Sequence, residues 1–439
     1  MTTTTNPTIK EGMAEILNAN GEVFYNPGLR SIRYGKEIEN NDQNLVIFAN
    51  DFDKDAVENI KANIKLNNLE HIIEPSLGDC NFIMYKAMNE NLKYDVVDLD
   101  PYGSASPFID AAVQSVNDGG LLCVTCTDMQ VLAGGQTEAN FTKYGGINLT
   151  TTPYCHEMGL RSLLHCIQTS ASRYKKYITP LLSCSIDFYL RVFVKISLGA
   201  AETKKAVCKT SMIYHCHSCK SFTTSSLGKR IDTGKGFKYT TNKLPVDSKC
   251  IECGSSITVA GPLYSGPLHD VTFVKKMIDH VKNNPKKFGT EVRMTGMLTL
   301  ISEELEDPFY YAIDKLCQVV HCSTPALKLV TSALLNQGYK FSASHCLSGS
   351  LKTNAPSTVL WDVIRSHSKL TKSREAKEGE IVMKNILSKD VKVQADFSIH
   401  KDCESQSRKF KLVRYQENPT PNWGPGSRAK GKKRKAEDI

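Results

Sequence analysis

Two matched cysteine pairs carry the strongest metal-binding signal in the chain. They are Cys216-His217-Ser218-Cys219 and Cys250-Ile251-Glu252-Cys253. Each Cys-x-x-Cys turn points two thiolates at one place, and two such turns complete a tetrahedral zinc site. His215 and His217 offer substitute ligands, and four thiolates are the simpler set. A second chemical signal is Asp98-Leu99-Asp100-Pro101-Tyr102-Gly103-Ser104, at the end of an apolar run that reads as a strand. Ligands of open α/β sheets lie beyond the carboxyl ends of their strands. A carboxylate followed by proline and an aromatic suits methylation of an exocyclic amine on a flat base. Asp100 and the carbonyl of Pro101 would accept the two amine N–H bonds, and Tyr102 would stack on the ring. The chemistry would then rest on alignment and on a negative charge placed where positive charge develops. The competing expectation is that Asp98 or Asp100 merely caps the next helix.

Two further acids fit cofactor binding. Asp51 follows the first apolar run, where nucleotide-binding sheets place a carboxylate for ribose hydroxyls. Asp79, in Leu77-Gly78-Asp79-Cys80, ends the next short strand and would meet an adenine amino group. A turn or a helix cap explains either acid equally well in isolation, and their order ahead of the Asp-Pro-Tyr-Gly motif is what raises them. Cys155-His156-Glu157-Met158 begins like a metalloprotease helix, but Leu160 stands where the second histidine would be. His156 and Glu157 are therefore expected to be structural.

The elements that must position these residues alternate. Leu45–Ala49, Tyr94–Asp100 and Leu121–Cys126 read as buried strands, with helices over 53–66 and 107–116. That pattern predicts a parallel α/β sheet. His156–Tyr177 reads as a long helix, followed by an antiparallel pair over 181–186 and 188–196. Residues 204–262 are polar, with little core of their own, so a metal would supply folding energy there. Helices are expected over 271–282, 290–304, 308–320 and 324–336, with a strand over 338–342.

The chain has 439 residues and a formal charge of +9. No apolar run reaches the roughly 18 residues of a membrane span, and the N-terminus has no secretory or transit pattern. Fifteen cysteines spread along the chain without a leader suggest free thiols in a reducing compartment. Six of the eight residues 428–435 are Lys or Arg, which reads either as a solvated tail or as a nuclear address or phosphate-binding segment.

On longer strings the sequence resembles the tRNA guanine-26 N2-dimethyltransferases, in their eukaryotic branch. The strings include Val23-Phe24-Tyr25-Asn26-Pro27, Gly28-Leu29-Arg30-Ser31-Ile32-Arg33-Tyr34, Ala49-Asn50-Asp51, the Asp-Pro-Tyr-Gly motif and Cys126-Thr127-Asp128-Met129. Tyr154-Cys155-His156-Glu157, Phe188-Tyr189-Leu190-Arg191, both cysteine pairs and Asn422-Trp423-Gly424-Pro425 extend the likeness across nearly the whole chain. The resemblance implies a class I, Rossmann-like methyltransferase sheet using S-adenosyl-L-methionine. It also implies a zinc-ribbon and a mostly helical α+β C-terminal domain that grips tRNA, with no membrane and no obligate protein partner. The expected boundaries are 1–200 for the methyltransferase domain, 201–265 for the zinc region, 266–400 for the tRNA-binding domain and 401–439 for the basic tail. By the same resemblance Asp100 is the catalytic carboxylate and Phe24 lines the base pocket beside Pro101 and Tyr102. Arg30, Asp51, Asp79 and Cys80 contact the cofactor, and Cys216, Cys219, Cys250 and Cys253 hold zinc. Family members act in nucleus and mitochondria, and the basic tail points to the nucleus here.

The chain departs from the family between Pro27 and Gly28. The family carries a further stretch there, with an Asn-Arg-Asp element and the first strand of the sheet. Its loss implies an α/β sheet without its central strand and a weaker cofactor site. Two other functions compete: an inactive RNA-binding protein that keeps the zinc and C-terminal regions, and an adenine N6-methyltransferase. The single proline before Tyr102-Gly103 and the C-terminal likeness argue against the latter.

Overall fold

The computed structural model describes residues 16–17, 23–24, 28–38, 45–285, 287–371 and 374–415. The chain divides into two compact units, Met1–Lys93 and Tyr94–Ile439.

In the first unit, β1 (Ile16–Leu17) pairs antiparallel with β2 (Val23–Phe24), Ile16 opposite Phe24. A second, parallel sheet joins β3 (Ile47–Asp51) to β4 (Ile73–Leu77), with Asp51 opposite Leu77. Helices Leu29–Glu37 and Lys54–Leu66 contribute Ile32, Ile60 and Ile64 to one small core with Ala49, Leu69 and Ile73. Gly28 starts the first helix at φ +84°, and a Cβ there would meet Ile60 at 3.2 Å, so only glycine fits without strain. The sequence pattern predicted a fully buried run over Leu45–Ala49, and the structure differs. Successive side chains of a strand point to opposite faces. The helices cover the Ala49 face, and Phe48 on the other is 51% exposed.

The second unit carries a four-stranded sheet in the order β5-β6-β8-β7. Its strands are β5 (Tyr94–Leu99), β6 (Val116–Cys126), β7 (Lys176–Ile186) and β8 (Tyr189–Leu198). β5 runs parallel to β6, and the other two pairings are antiparallel. The predicted long helix is Cys155–Arg173. A three-stranded sheet follows, β10-β9-β13, from β9 (Thr210–His215), β10 (Phe222–Ser226) and β13 (Thr258–Tyr264). Between them β11 (Gly228–Asp232) and β12 (Phe237–Thr241) form a separate hairpin. The rest of the described residues includes helices Val271–Asn283, Glu291–Glu303, Ile313–Val319, Leu327–Asn336, Ser357–Leu370, Ile381–Leu387 and Gln406–Lys409. Between them lies a sheet of β14 (Tyr311–Ala312), β15 (Phe341–Ser344) and β16 (Leu347–Thr353). The helix expected from 308 begins instead at Ile313. Phe309 takes φ +67° and packs against Tyr154, which an α-helical start at 308 would not allow. Among the described residues, no helix is long and apolar enough to cross a membrane.

Glu157 is structural, as expected. It is fully buried, with Arg161 at 2.8 Å and Lys352 at 3.2 Å. Lys352 lies 2.9 Å from Glu304, whose other oxygen lies 2.8 Å from His345 Nδ1. Backbone N–H groups of Ser183 and Ser185, on the edge strand β7, donate to His269 Nδ1 and His345 Nε2. Two carboxylates thus balance two cations in an interior that would not tolerate any of them alone. Burial also pushes His269 down to about 4, in keeping with its role as an acceptor.

Candidate active site and metal centre

The Asp-Pro-Tyr-Gly turn sits at the carboxyl end of β5, where the sheet presents its loops. Asp98, the last polar residue within the strand, does not cap a helix. Arg191 on β8 reaches across β6 and grips it with two bonds, 2.7 and 2.9 Å, while also donating to Thr125 at 2.6 Å. Both side chains are only 12% exposed. A planar guanidinium matched to a carboxylate is the most directional ion pair available, and it ties the end of β5 to the middle of the sheet.

Asp100 follows on the exposed side, Pro101 is half-buried and Tyr102 is 68% exposed. Gly103 takes φ +77°, a left-handed conformation that turns the chain back toward the helix Ser106–Ser115. The turn is pinned from below. Gly103 N–H donates to Thr127 Oγ1 at 2.8 Å, and Thr127 N–H donates to the Gly103 carbonyl at 2.9 Å. One residue on, Ser104 lies 2.8 Å from the Tyr144 hydroxyl, which donates to Asp128 at 2.9 Å. Lys143 closes this chain 3.4 Å from Asp128. Burial, with Cys126 and Asp128 beside it, raises the Tyr144 phenol and keeps it a donor. Thr127, Asp128, Tyr144 and Arg191 had no assigned role in the sequence. Their signal was an arginine inside an apolar strand, which must find an acid, and a Thr-Asp step directly after a buried strand.

In the first unit, Asp51 ends β3 and its Oδ1 accepts from Asp53 N–H at 2.9 Å. Asp53 caps the helix Lys54–Leu66. Asp79 caps the helix Cys80–Asn89, accepting from Asn81 N–H at 2.8 Å. Each acid is thus oriented by one oxygen, and an ionised carboxylate keeps acceptor capacity on the other. Cys80 is half-buried, and burial together with Asp79 raises its thiol. Arg30 lies in the first turn of the helix Leu29–Glu37. Phe24 belongs to β2, and its side chain lies outside the described residues, as do the basic run 428–435 and Asn422–Pro425.

All four predicted zinc cysteines converge. Their sulfurs lie within 4.8 Å of one another and are buried. Cys216 and Cys253 are 3.4 Å apart, Cys219 and Cys250 3.5 Å, well beyond the roughly 2.05 Å of a disulfide. Sulfurs on a zinc at about 2.3 Å stand under 4 Å apart, so the donor set fits that ion. Each knuckle closes in the same way. Lys220 N–H returns to the Cys216 carbonyl at 2.8 Å and Gly254 N–H to that of Cys250 at 2.8 Å, both turning through positive φ. His215 stands outside the cluster: its Nδ1 is engaged by the Tyr154 hydroxyl at 2.7 Å, and the four sulfurs alone form the group. The cluster packs within one core with Trp361, Ile364, Met383 and Ile386. Trp361 donates to Ser221, Asn385 to the Cys253 carbonyl, and Arg365 bridges Glu252 and Asp362.

The chain is similar to several known proteins. A family model described as N2,N2-dimethylguanosine tRNA methyltransferase matches residues 22–365. The chain is 42% identical over 417 residues to the tRNA (guanine(26)-N(2))-dimethyltransferase of Mus musculus, covering 94% of this chain and 62% of that one. It is 45% identical over 419 residues to the Schizosaccharomyces pombe protein of the same name, covering 91% and 73%. A Saccharomyces cerevisiae relative, named as mitochondrial, is 40% identical over 427 residues, covering 91% and 74%. Among solved structures, the complex of Trm1 from Pyrococcus horikoshii with S-adenosyl-L-methionine aligns with a TM-score of 0.64 at 27% identity, covering 77% of this chain and 85% of that one. The chain spans about six-tenths of the length of the mouse relative.

Proposed function

Because the chain belongs to the N2,N2-dimethylguanosine tRNA methyltransferase family, we propose that it methylates the exocyclic N2 of guanine 26 in tRNA. S-adenosyl-L-methionine supplies the activated methyl group. The observation that carries this reading is the pinned Asp100-Pro101-Tyr102-Gly103 turn at the end of β5. Asp100 and the Pro101 carbonyl accept the two amine N–H bonds and aim the nitrogen. Tyr102, already exposed, stacks on the base after it leaves the tRNA stack. Attack by N2 on the methyl carbon would form the N–C bond as the carbon–sulfonium bond breaks to leave the neutral thioether, and the Asp100 carboxylate would favour the positive charge on nitrogen and accept the amine proton. Arg30, Asp51, Asp79 and Cys80 are assigned to the cofactor, and Phe24 to the base pocket.

The sheet lacks its first strand in this reading, because the family's segment between Pro27 and Gly28 is absent from the sequence. Among the described residues β3 pairs with β4 alone and β5 with β6 alone, so each has an edge that a further strand would cover, which supports it. Cofactor affinity is then weaker than in a chain that has the strand. Residues 1–200 form the methyltransferase domain, 201–265 a zinc-ribbon, 266–400 the tRNA-gripping domain and 401–439 a basic tail that serves as a nuclear address. The four-cysteine set binds zinc structurally, with four thiolates and no open position.

The test is methyl transfer from labelled S-adenosyl-L-methionine to tRNA carrying guanine at position 26, with nucleoside analysis of the product. Appearance of N2,N2-dimethylguanosine in the wild type, and its loss in Asp100→Asn, is expected. A folded protein that binds tRNA and transfers no methyl group would favour the inactive RNA-binding alternative.

A further inference from the structure

Thirty residues separate the two zinc knuckles, and most of them stand apart from the sheet the knuckles serve. β11 and β12 form a two-stranded hairpin that belongs to no larger sheet. A lone hairpin is marginal in water, so its base needs an anchor. Leu227 N–H donates to the Thr210 carbonyl at 2.8 Å, and Asn242 N–H to that of Leu227 at 3.0 Å. Gly228 is buried so closely on the turn Lys204–Cys208 that a Cβ would meet Val207 at 2.7 Å. Beyond this base, residues 229–238 are all exposed.

The two faces of the hairpin differ. Pairing sets Arg230 opposite Tyr239 and Asp232 opposite Phe237, which places Arg230, Tyr239, Phe237 and one acid, Asp232, on one face. The Arg230 guanidinium lies 3.1 Å from the centre of the Phe237 ring, yet that ring remains 57% exposed. Lys229 and Lys238 occupy the other face, and Lys235 the tip. Residues 227–249 carry six Lys or Arg against two Asp. An exposed aromatic held by an arginine, backed by lysines, combines a stacking surface with phosphate neutralisation, the pairing that single-stranded and looped RNA exploits.

We infer that the hairpin Gly228–Thr241 is an RNA-contacting finger of this protein, with Phe237 and Arg230 stacking on an unpaired base and Lys229, Lys235 and Lys238 meeting phosphates. The inference rests on the proposed tRNA substrate, since it names the surface that receives it. Charge complementarity selects RNA, because the hairpin carries four Lys or Arg against one Asp, and a net excess of three positive charges on so small an element favours a polyanion.

The experiment is equilibrium binding of the full chain to unmodified tRNA at several salt concentrations, with zinc content and helicity as fold checks. Lys229→Ala with Lys238→Ala is expected to weaken binding at least tenfold. It should also lower the slope of log affinity against log salt by about one for each phosphate contact removed. Phe237→Ala leaves the charge unchanged and is expected to weaken binding about tenfold, in line with loss of one stacked base. Wild-type binding that both variants retain, with unchanged slope, would overturn the finger while leaving the substrate intact. A wild type that does not bind tRNA would overturn both. A change of oligomeric state in the variants, with tRNA affinity unaltered, would assign the hairpin to contact between copies and also overturn the inference.

Discussion

The two units hold their candidate site residues in different ways. In Tyr94–Ile439 the braces come from far away in sequence: Asp98 is held by Arg191, Gly103 by Thr127 and Cys216 by Cys253. In Met1–Lys93 the acids are held by residues two positions on, Asp51 by Asp53 and Asp79 by Asn81. Distant bracing fixes geometry through tertiary packing, so it fails all at once when the packing fails. Local capping survives as long as its own turn does, but it places a carboxylate only as well as the strand beneath it is placed. With a small core and half-exposed Phe48, the first unit offers its acids a thinner support.

The difference can be broken at its strongest point by removing metal. Chelation, or Cys253→Ser, should unfold the helices that share the four-cysteine core, since structural zinc contributes on the order of 10 kcal/mol in small sites. Purified protein should contain one zinc per chain and show a large fall in Tm by calorimetry. A metal-free protein with unchanged Tm would contradict this. Next comes the buried ionic hub. Glu304→Gln leaves Lys352 and Arg161 sharing the single carboxylate of Glu157, one buried cation in excess, and should cost about 3–5 kcal/mol in urea unfolding. Burial alone would raise Glu304, but Lys352 and His345 outweigh it and hold the carboxyl well below its usual range. A depressed acid contributes stability that is present above its unfolded pKa of about 4.3 and is lost as pH falls through the folded value. The wild type should therefore lose stability below about pH 4 more steeply than Glu304→Gln.

Smaller effects sharpen the comparison at the site. Asp100→Asn should lower kcat about a hundredfold with cofactor affinity unchanged, as a charge lost from the transition state would. Thr127→Val unpins the turn and should lower kcat about tenfold at a stability cost of about 1 kcal/mol. An unchanged kcat would leave Thr127 with folding alone. Asp79→Ala should cost only about 1 kcal/mol of stability from its lost cap, read as faster hydrogen exchange in the helix Cys80–Asn89. Because Asp79 is assigned to the cofactor, the same variant should also weaken S-adenosyl-L-methionine binding.

The motifs that were legible in the sequence are those whose chemistry is local. Two Cys-x-x-Cys turns converge because each makes the same backbone turn, and Asp100-Pro101-Tyr102-Gly103 marks a strand end because proline stops the ladder. The strand, helix, strand order around them was equally plain, since burial imposes its periodicity on neighbouring residues. What the sequence hid depends on distance. Nothing near Asp98 names Arg191, and nothing near Glu157 names Lys352, because pairing across a sheet or between layers leaves no mark on sequence spacing. The exposure of Phe48 was hidden for a different reason. An apolar run looks the same whether or not both faces of its strand are covered.

The most direct test is calorimetric binding of S-adenosyl-L-methionine to the zinc-loaded 439-residue chain, beside Asp51→Ala. Saturable binding that Asp51→Ala weakens tenfold or more is the predicted result, and it would place the cofactor on the locally capped acids. No binding by a folded, zinc-loaded protein would contradict the enzymatic account of this chain.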